Sequence, residues 1–141
     1  MTLQPLYVAS ATVTSGREGS GETSDGNVKA TFNLQKELGG NPKLGSTNPE
    51  QLFALGYASC FGQAVKLVSG QQHVALKDVK VHSDVTLGKT DSGGFGLAVK
   101  LAVHLPGVER AQAEKIVHAA HQICPYSNAT RGNIDVQIGV E

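Results

Sequence analysis

Between Glu50 and Lys66 the chain carries no charged side chain. What this stretch does decides what the rest must do around it. Asn48 can accept a hydrogen bond from an orphan N–H at a helix start. Pro49 suits the first helical position, where a missing N–H costs nothing, and Gln51 falls where a capping box places its amide. The spacing predicts a helix from Pro49 to Val68. Leu52, Phe53, Leu55, Tyr57, Phe61, Ala64, Val65, Leu67 and Val68 spread round its cylinder instead of forming one stripe. A helix apolar on every side needs cover on every side. Ser59, Gln63, Gly56 and Gly62 interrupt it, short of the ~20 unbroken apolar residues of a membrane span. Cys60 sits in its middle.

The segments on either side show two periods. Alternation over residues 6–14 puts Tyr7, Ala9, Ala11 and Val13 on one face, and residues 28–34 repeat it with Val28, Ala30, Phe32 and Leu34. Period two reads as a half-buried strand. Ser15 to Asn27 is too polar and glycine-rich for a regular element, with a turn at Asp25-Gly26, and Gln35 to Thr47 reads as a loop. Residues 78–87 and 95–105 alternate again, the second placing Phe95, Leu97, Val99, Leu101, Val103 and Leu105 on one face. Residues 109–123 switch to helical spacing, with Ala113, Ile116, Val117, Ala120, Ile123 and Cys124 on one stripe. Pro125 closes this helix, Tyr126-Ser127-Asn128 forms the stopping turn, and residues 134–140 make a last strand.

The order β-β-α-β-β-α-β, with tight turns between strands, predicts an α+β fold of antiparallel sheets packed on the central helix. No internal repeat or linker divides residues 1–141, so a single domain is expected. One small sheet covers only one side of an all-apolar helix. A homodimer, the second chain completing the cover, follows.

Composition narrows the function. Lys+Arg and Asp+Glu are both 12, so no basic excess recommends nucleic acid or an anionic membrane surface. Tryptophan is absent, which argues against base-stacking platforms. The opening M-T-L-Q-P-L-Y shows no basic region followed by an apolar core, and a cytoplasmic location is the expectation. There the two cysteines read as catalytic, metal-binding or inert before they read as a permanent staple.

Four readings of Cys60 and Cys124 stand together. Both can be small buried apolar residues. A metal site could draw on His118, His121 and Cys124, but steps of three leave the outer pair about 120° apart on a helix, and neither C-x-x-C nor H-E-x-x-H occurs. A cysteine hydrolase could use His121 as base. A thiol peroxidase needs a thiolate, a cation beside it and a second thiol to trap the sulfenic acid. Burial raises a thiol's pKa, so that reading calls for a positive group. Arg17, inside G-R-E-G, is the candidate, with Glu50 able to hold it as a bidentate ion pair. Arg17 reads equally as a solvated loop charge, and Glu50 as an acid favoured by the helix dipole. Glu50 and Cys60 lie ten residues apart, about 15 Å along an ideal helix. Direct contact within one chain is therefore excluded; either Arg17 bridges the gap or a neighbouring chain brings its own acid.

G-R-E-G around Arg17, T-N-P-E-Q-L-F-A-L-G-Y-A-S-C-F from Thr47, G-G-F-G from Gly93 and A-H-Q-I-C-P-Y-S-N-A-T-R-G-N-I-D-V from Ala120 together resemble the organic hydroperoxide resistance branch of the OsmC/Ohr family. The resemblance spans nearly the whole chain, and its C-P-Y-S-N-A-T-R-G-N segment is the specific part. It implies a metal-free and haem-free peroxidase of the bacterial cytoplasm, built as an intertwined homodimer with active sites at the subunit interface. It implies Cys60 as the peroxidatic cysteine, Cys124 as the resolving one, Arg17 as the thiolate-stabilising cation and Glu50 as its carboxylate partner, with no departure at these four positions. No bound cofactor is implied. The reductant would be the dihydrolipoyl group of a lipoylated protein, and the substrates organic (alkyl or fatty-acyl) hydroperoxides. Phe61, Phe95 and Tyr126 could line an apolar pocket for such substrates or serve as plain core.

Overall fold

A computed structural model of the chain describes residues 2–141. They fall into two compact units, one ending at Pro49 and the other Glu50–Glu141.

The first unit is a three-stranded antiparallel sheet of β1 (Ala11–Thr14), β2 (Ser20–Thr23) and β3 (Lys29–Thr31), in that order. Residues 6–10 do not extend β1; they lie outside it, with Leu6 98% and Tyr7 81% exposed. Alternation alone does not make a strand when no neighbour supplies the ladder hydrogen bonds. β2 runs through the segment expected to be irregular. Its Ser20 and Gly21 pair with Thr14 and Val13 on one side and with Thr31 and Ala30 on the other. Asp25 closes the β2–β3 turn, accepting bonds from the Thr23 hydroxyl at 2.8 Å and the Asn27 N–H at 3.0 Å. These bonds hold its carboxyl below the ordinary value. Phe32, bridged to Thr47, is buried, whereas Val13 and Val28 remain about half exposed. The loop from Gln35 holds one 3-10 turn, Lys36–Leu38.

The second unit contains α1 (Pro49–Gln71), β4 (Lys80–Lys89), β5 (Phe95–His104), α2 (Arg110–Ile123), α3 (Pro125–Thr130) and β6 (Val136–Val140). The fold is α+β, as the periods predict, and Pro49 takes the first position of α1. β4 and β5 pair antiparallel over ten residues, from Lys80↔His104 to Lys89↔Phe95. β6 departs from the expected antiparallel arrangement: it pairs parallel to β5, Val99↔Val136 through Val103↔Val140. The reason is the connection. Two helices separate β5 from β6, and such a crossover returns the chain to the end from which β5 started. The second of these helices, α3, is also new; Pro125 does not end α2 into a turn but starts another helix at N1.

Val99, Leu101 and Val103, on one face of β5, and Leu105 just after it form a single core with Tyr57, Phe61, Ala64, Val65 and Val68 of α1 and Ala113, Ile116, Val117 and Ala120 of α2. Phe95 ends the β5 stripe 66% exposed, and Ile123 ends the α2 stripe 42% exposed. By length and composition α1 is apolar enough to cross a membrane; here one of its faces enters this core. Its other apolar residues, Leu55 at 70% and Leu67 at 53%, stay exposed in the single chain. Leu101 is 1% exposed. Leu101→Ala is expected to lower the unfolding free energy by about 2–5 kcal/mol, read as a lower urea midpoint with unchanged slope.

Candidate active site

Cys60 lies in the middle of α1, and Cys124 stands at the corner between α2 and α3. The Cys124 N–H closes α2 on the Ala120 carbonyl at 2.9 Å, and its extended backbone (φ −64, ψ 125) turns the chain into α3. The corner brings the two sulfurs to 3.6 Å, with the Cys124 thiol donating to Cys60 Sγ. Both are free thiols; Cys124 is fully buried and Cys60 partly exposed. A disulfide needs about 2.05 Å, so the pair stands one small movement from bonding.

Burial is the main influence on Cys60 and pushes its thiol above the ordinary value. The backbone of Tyr126 pulls the other way, while the hydrogen bond and charge of Cys124 push it up again. Ionising Cys60 therefore has to overcome its burial.

The corner is anchored to α1 around both sulfurs. The Tyr57 hydroxyl, three residues before Cys60, lies 2.9 Å from Ser127 Oγ and 3.0 Å from Thr130 Oγ1. All three residues are at most 4% exposed. Tyr126 packs against Phe53 and Tyr57, with ring centroids 5.8 and 5.6 Å apart. Arg131 ties α3 back to α2, donating to the His121 carbonyl at 3.1 Å and to Asn128 Oδ1.

Arg17 sits in a 3-10 turn, Gly16–Glu18, between β1 and β2. Ser15 and Gly16 both take the left-handed region (φ 66 and 55), which reverses the chain ahead of Arg17 and favours glycine. A Cβ on Gly19 would run into the Thr14 carbonyl. Both glycines of G-R-E-G thus shape the turn. It is not a loose loop: Arg17 Nη1 donates to Gln35 Oε1 at 3.3 Å, and Glu18 Oε1 accepts from the Leu34 N–H at 3.3 Å. Glu50 lies in the first turn of α1, half-buried. Since α1 is continuous from Pro49 to Gln71, the ~15 Å separation of Glu50 from Cys60 holds.

Within the second unit, Cys124 is the side chain hydrogen-bonded to Cys60. His121 has its Nδ1 buried without a hydrogen-bond partner. Burial, then Arg131 and His118, lower its pKa and keep it neutral at neutral pH. Among the described residues no three His, Cys, Asp or Glu side chains gather as a metal site. Phe61 is fully buried core, whereas Phe95 and Tyr126 (36% exposed) reach the surface. Sequence reasoning missed Tyr57, Ser127, Thr130 and Arg131. The signal was there: Ser127, Asn128 and Thr130 shortly after Cys124, closing on Arg131.

Two thiols thus stand 3.6 Å apart on an α+β scaffold, and comparison with known proteins places that scaffold in a class. The family model described as OsmC-like protein matches residues 40–139, and the chain belongs to that family. The organic hydroperoxide resistance protein of Xanthomonas axonopodis pv. citri (strain 306) is 49% identical over 134 residues, covering 94% of this chain and 93% of that one. Crystal structures of organic hydroperoxide resistance proteins agree in fold. The one from Legionella pneumophila has a TM-score of 0.93 at 46% identity, covering 98% of this chain and 99% of that one. OhrB of Bacillus subtilis has a TM-score of 0.88 at 38% identity, covering 97% and 100%. Within the OsmC-like family the chain is thus of the organic hydroperoxide resistance branch.

Proposed function

We propose that this protein is a cysteine-based peroxidase that reduces organic hydroperoxides to alcohols and so confers resistance to them. The observation that carries the reading is the Cys60–Cys124 pair at 3.6 Å, in a chain whose relatives are organic hydroperoxide resistance proteins. Cys60 thiolate attacks the distal peroxide oxygen. The O–O bond breaks, Cys60 becomes a sulfenic acid, and the departing alkoxide takes a proton to leave as alcohol. Cys124 thiol then attacks the sulfenic sulfur, forming the disulfide and releasing water. An external dithiol reduces the disulfide by two exchanges, becoming oxidised itself and restoring both thiols. A lipoyl dithiol carried on a protein suits that last step, because its own ring closure drives the second exchange. In this reading Arg17 stabilises the thiolate and the charge developing on the peroxide oxygens, and Glu50 orients Arg17.

The protein works as a homodimer in the cytoplasm. The exposed Leu55 and Leu67 of α1, with Leu6, Tyr7 and Val8 before β1, supply apolar surface that a second copy would cover.

The test is steady-state turnover of an organic hydroperoxide and hydrogen peroxide side by side, with dihydrolipoamide against a monothiol. Preference for the organic peroxide and the dithiol is expected; equal use of both peroxides and both reductants would remove the proposal. Cys124→Ser protein is expected to consume one equivalent of peroxide and then stall, with a sulfenic acid on Cys60 that dimedone captures. Continued dithiol-dependent cycling in that variant would exclude Cys124 as the resolving thiol.

A further inference from the structure

Resting on the peroxidase reading, one cluster has no assigned part in it: the aromatic and hydroxyl groups that fasten the Cys124 corner to α1. Gly56 stands four residues before Cys60 and Tyr57 three before, so both lie on the Cys60 side of α1. Tyr126 and Ser127 stand two and three residues after Cys124. A Cβ built on Gly56 would come within 2.5 Å of the Tyr126 hydroxyl and 3.1 Å of its ring. The helix is notched at Gly56 so that this ring can lie against it. The Tyr57 hydroxyl closes the other side. Thr130 Oγ1 donates to the Ser127 carbonyl at 3.3 Å, which leaves it free to accept from Tyr57, while Ser127 Oγ donates to Tyr57. One proton assignment satisfies all three buried hydroxyls.

We infer that the Gly56–Tyr126 notch and the Tyr57–Ser127–Thr130 hydroxyl knot form a positioning device that holds Cys124 within bonding reach of the Cys60 sulfenic acid. The reasoning is geometric. Cys124 sits where α2 stops and a six-residue helix begins, and a helix that short has little stability of its own. Its position is set by what it packs on, and both fastenings are to the turn of α1 that carries Cys60. The knot is fully desolvated, so deleting one hydroxyl leaves a buried partner unsatisfied and lets the corner drift. Tyr126 links the two steps, because its backbone also acts on Cys60, drawing the thiol's pKa down against burial. A slack corner therefore delays trapping of the sulfenic acid and prolongs its exposure to a second peroxide, which carries Cys60 to the irreversible sulfinic acid.

The experiment separates the two chemical steps. Reduced protein is mixed with one equivalent of cumene hydroperoxide with and without dimedone, and mass spectrometry follows disulfide against sulfenic adduct. In Tyr57→Phe and Ser127→Ala the first step should stay within about threefold of the parent. Disulfide formation should slow about tenfold, in keeping with the rate cost of sub-ångström misplacement, and excess peroxide should yield more sulfinic acid. Gly56→Ala should slow both steps, and Tyr126→Phe added to it, by removing the clashing oxygen, should restore most of the disulfide rate. Variants that merely melt earlier while keeping the parent's partition between adduct and disulfide would overturn the inference. A parent protein that forms sulfenic acid but no disulfide would overturn it too, whereas one that forms neither would fail the peroxidase reading first.

Discussion

Cys60→Ser protein is expected to show no peroxide-dependent consumption of dithiol, a loss on the order of 10³-fold or more, as for removal of a nucleophile in other enzymes. The substitution is nearly isosteric, at a position in the middle of an ordered helix, so the fold should survive and the effect should be chemical. A serine hydroxyl does not ionise near neutral pH and is a poor nucleophile toward peroxide oxygen. Nor can the other sulfur take over, because Cys124 is fully buried. Thermal unfolding measured alongside would show the variant folded. Full activity with an organic hydroperoxide in a folded Cys60→Ser protein would remove the mechanism.

The second large effect belongs to Arg17→Ala. Burial pushes the Cys60 thiol above its ordinary value of 9.0, so without a compensating cation only a small fraction is thiolate at pH 7. Removing the guanidinium should slow the first step at pH 7 roughly 10²-fold, in the range seen when one charge-stabilising donor is lost. It should also change the pH profile. The parent should be nearly flat across neutral pH, whereas the variant's rate should climb about tenfold per unit toward the raised pKa. The sign of the stability change follows separately. A thiol whose pKa is raised by folding binds its proton more tightly in the native state. The variant therefore keeps full stability below the ordinary thiol value and loses some as pH rises through the window above it. A thiolate titration followed by ultraviolet absorbance that is the same in variant and parent would take Arg17 out of the site.

Much of this was legible from side-chain period. β4, β5 and α2 follow their apolar repeats to within about two residues, as such boundaries allow, because each has one face in the common core. What the period missed are elements specified by backbone and neighbours. Ser20–Thr23, S-G-E-T, has no apolar face and is a strand because β1 and β3 pair with it on both sides. Residues 6–10 have the alternation and lack the partner. The parallel register of β6 depends on how two helices carry the chain back, which no local pattern encodes. At the site, the two cysteines were visible as residue types and by resemblance. The 3.6 Å between them was not, because it is set by Cys124 ending one helix and preceding the next, and Pro125 read as a terminator hid that corner. The tyrosine hydroxyl knot was hidden for a related reason: serine and threonine after a proline read as a solvated turn until α3 is seen to bury them.

The unequal access to the two sulfurs has a regiochemical consequence. In the proposed cycle, once they are joined, an incoming thiolate has the α1 sulfur to strike, since Cys124 is fully buried. The leaving group is then always Cys124, expelled inward toward the corner that keeps it, and the transient adduct with the reductant always hangs from Cys60. Regeneration thus proceeds through one mixed species, carried on the same atom that meets the peroxide.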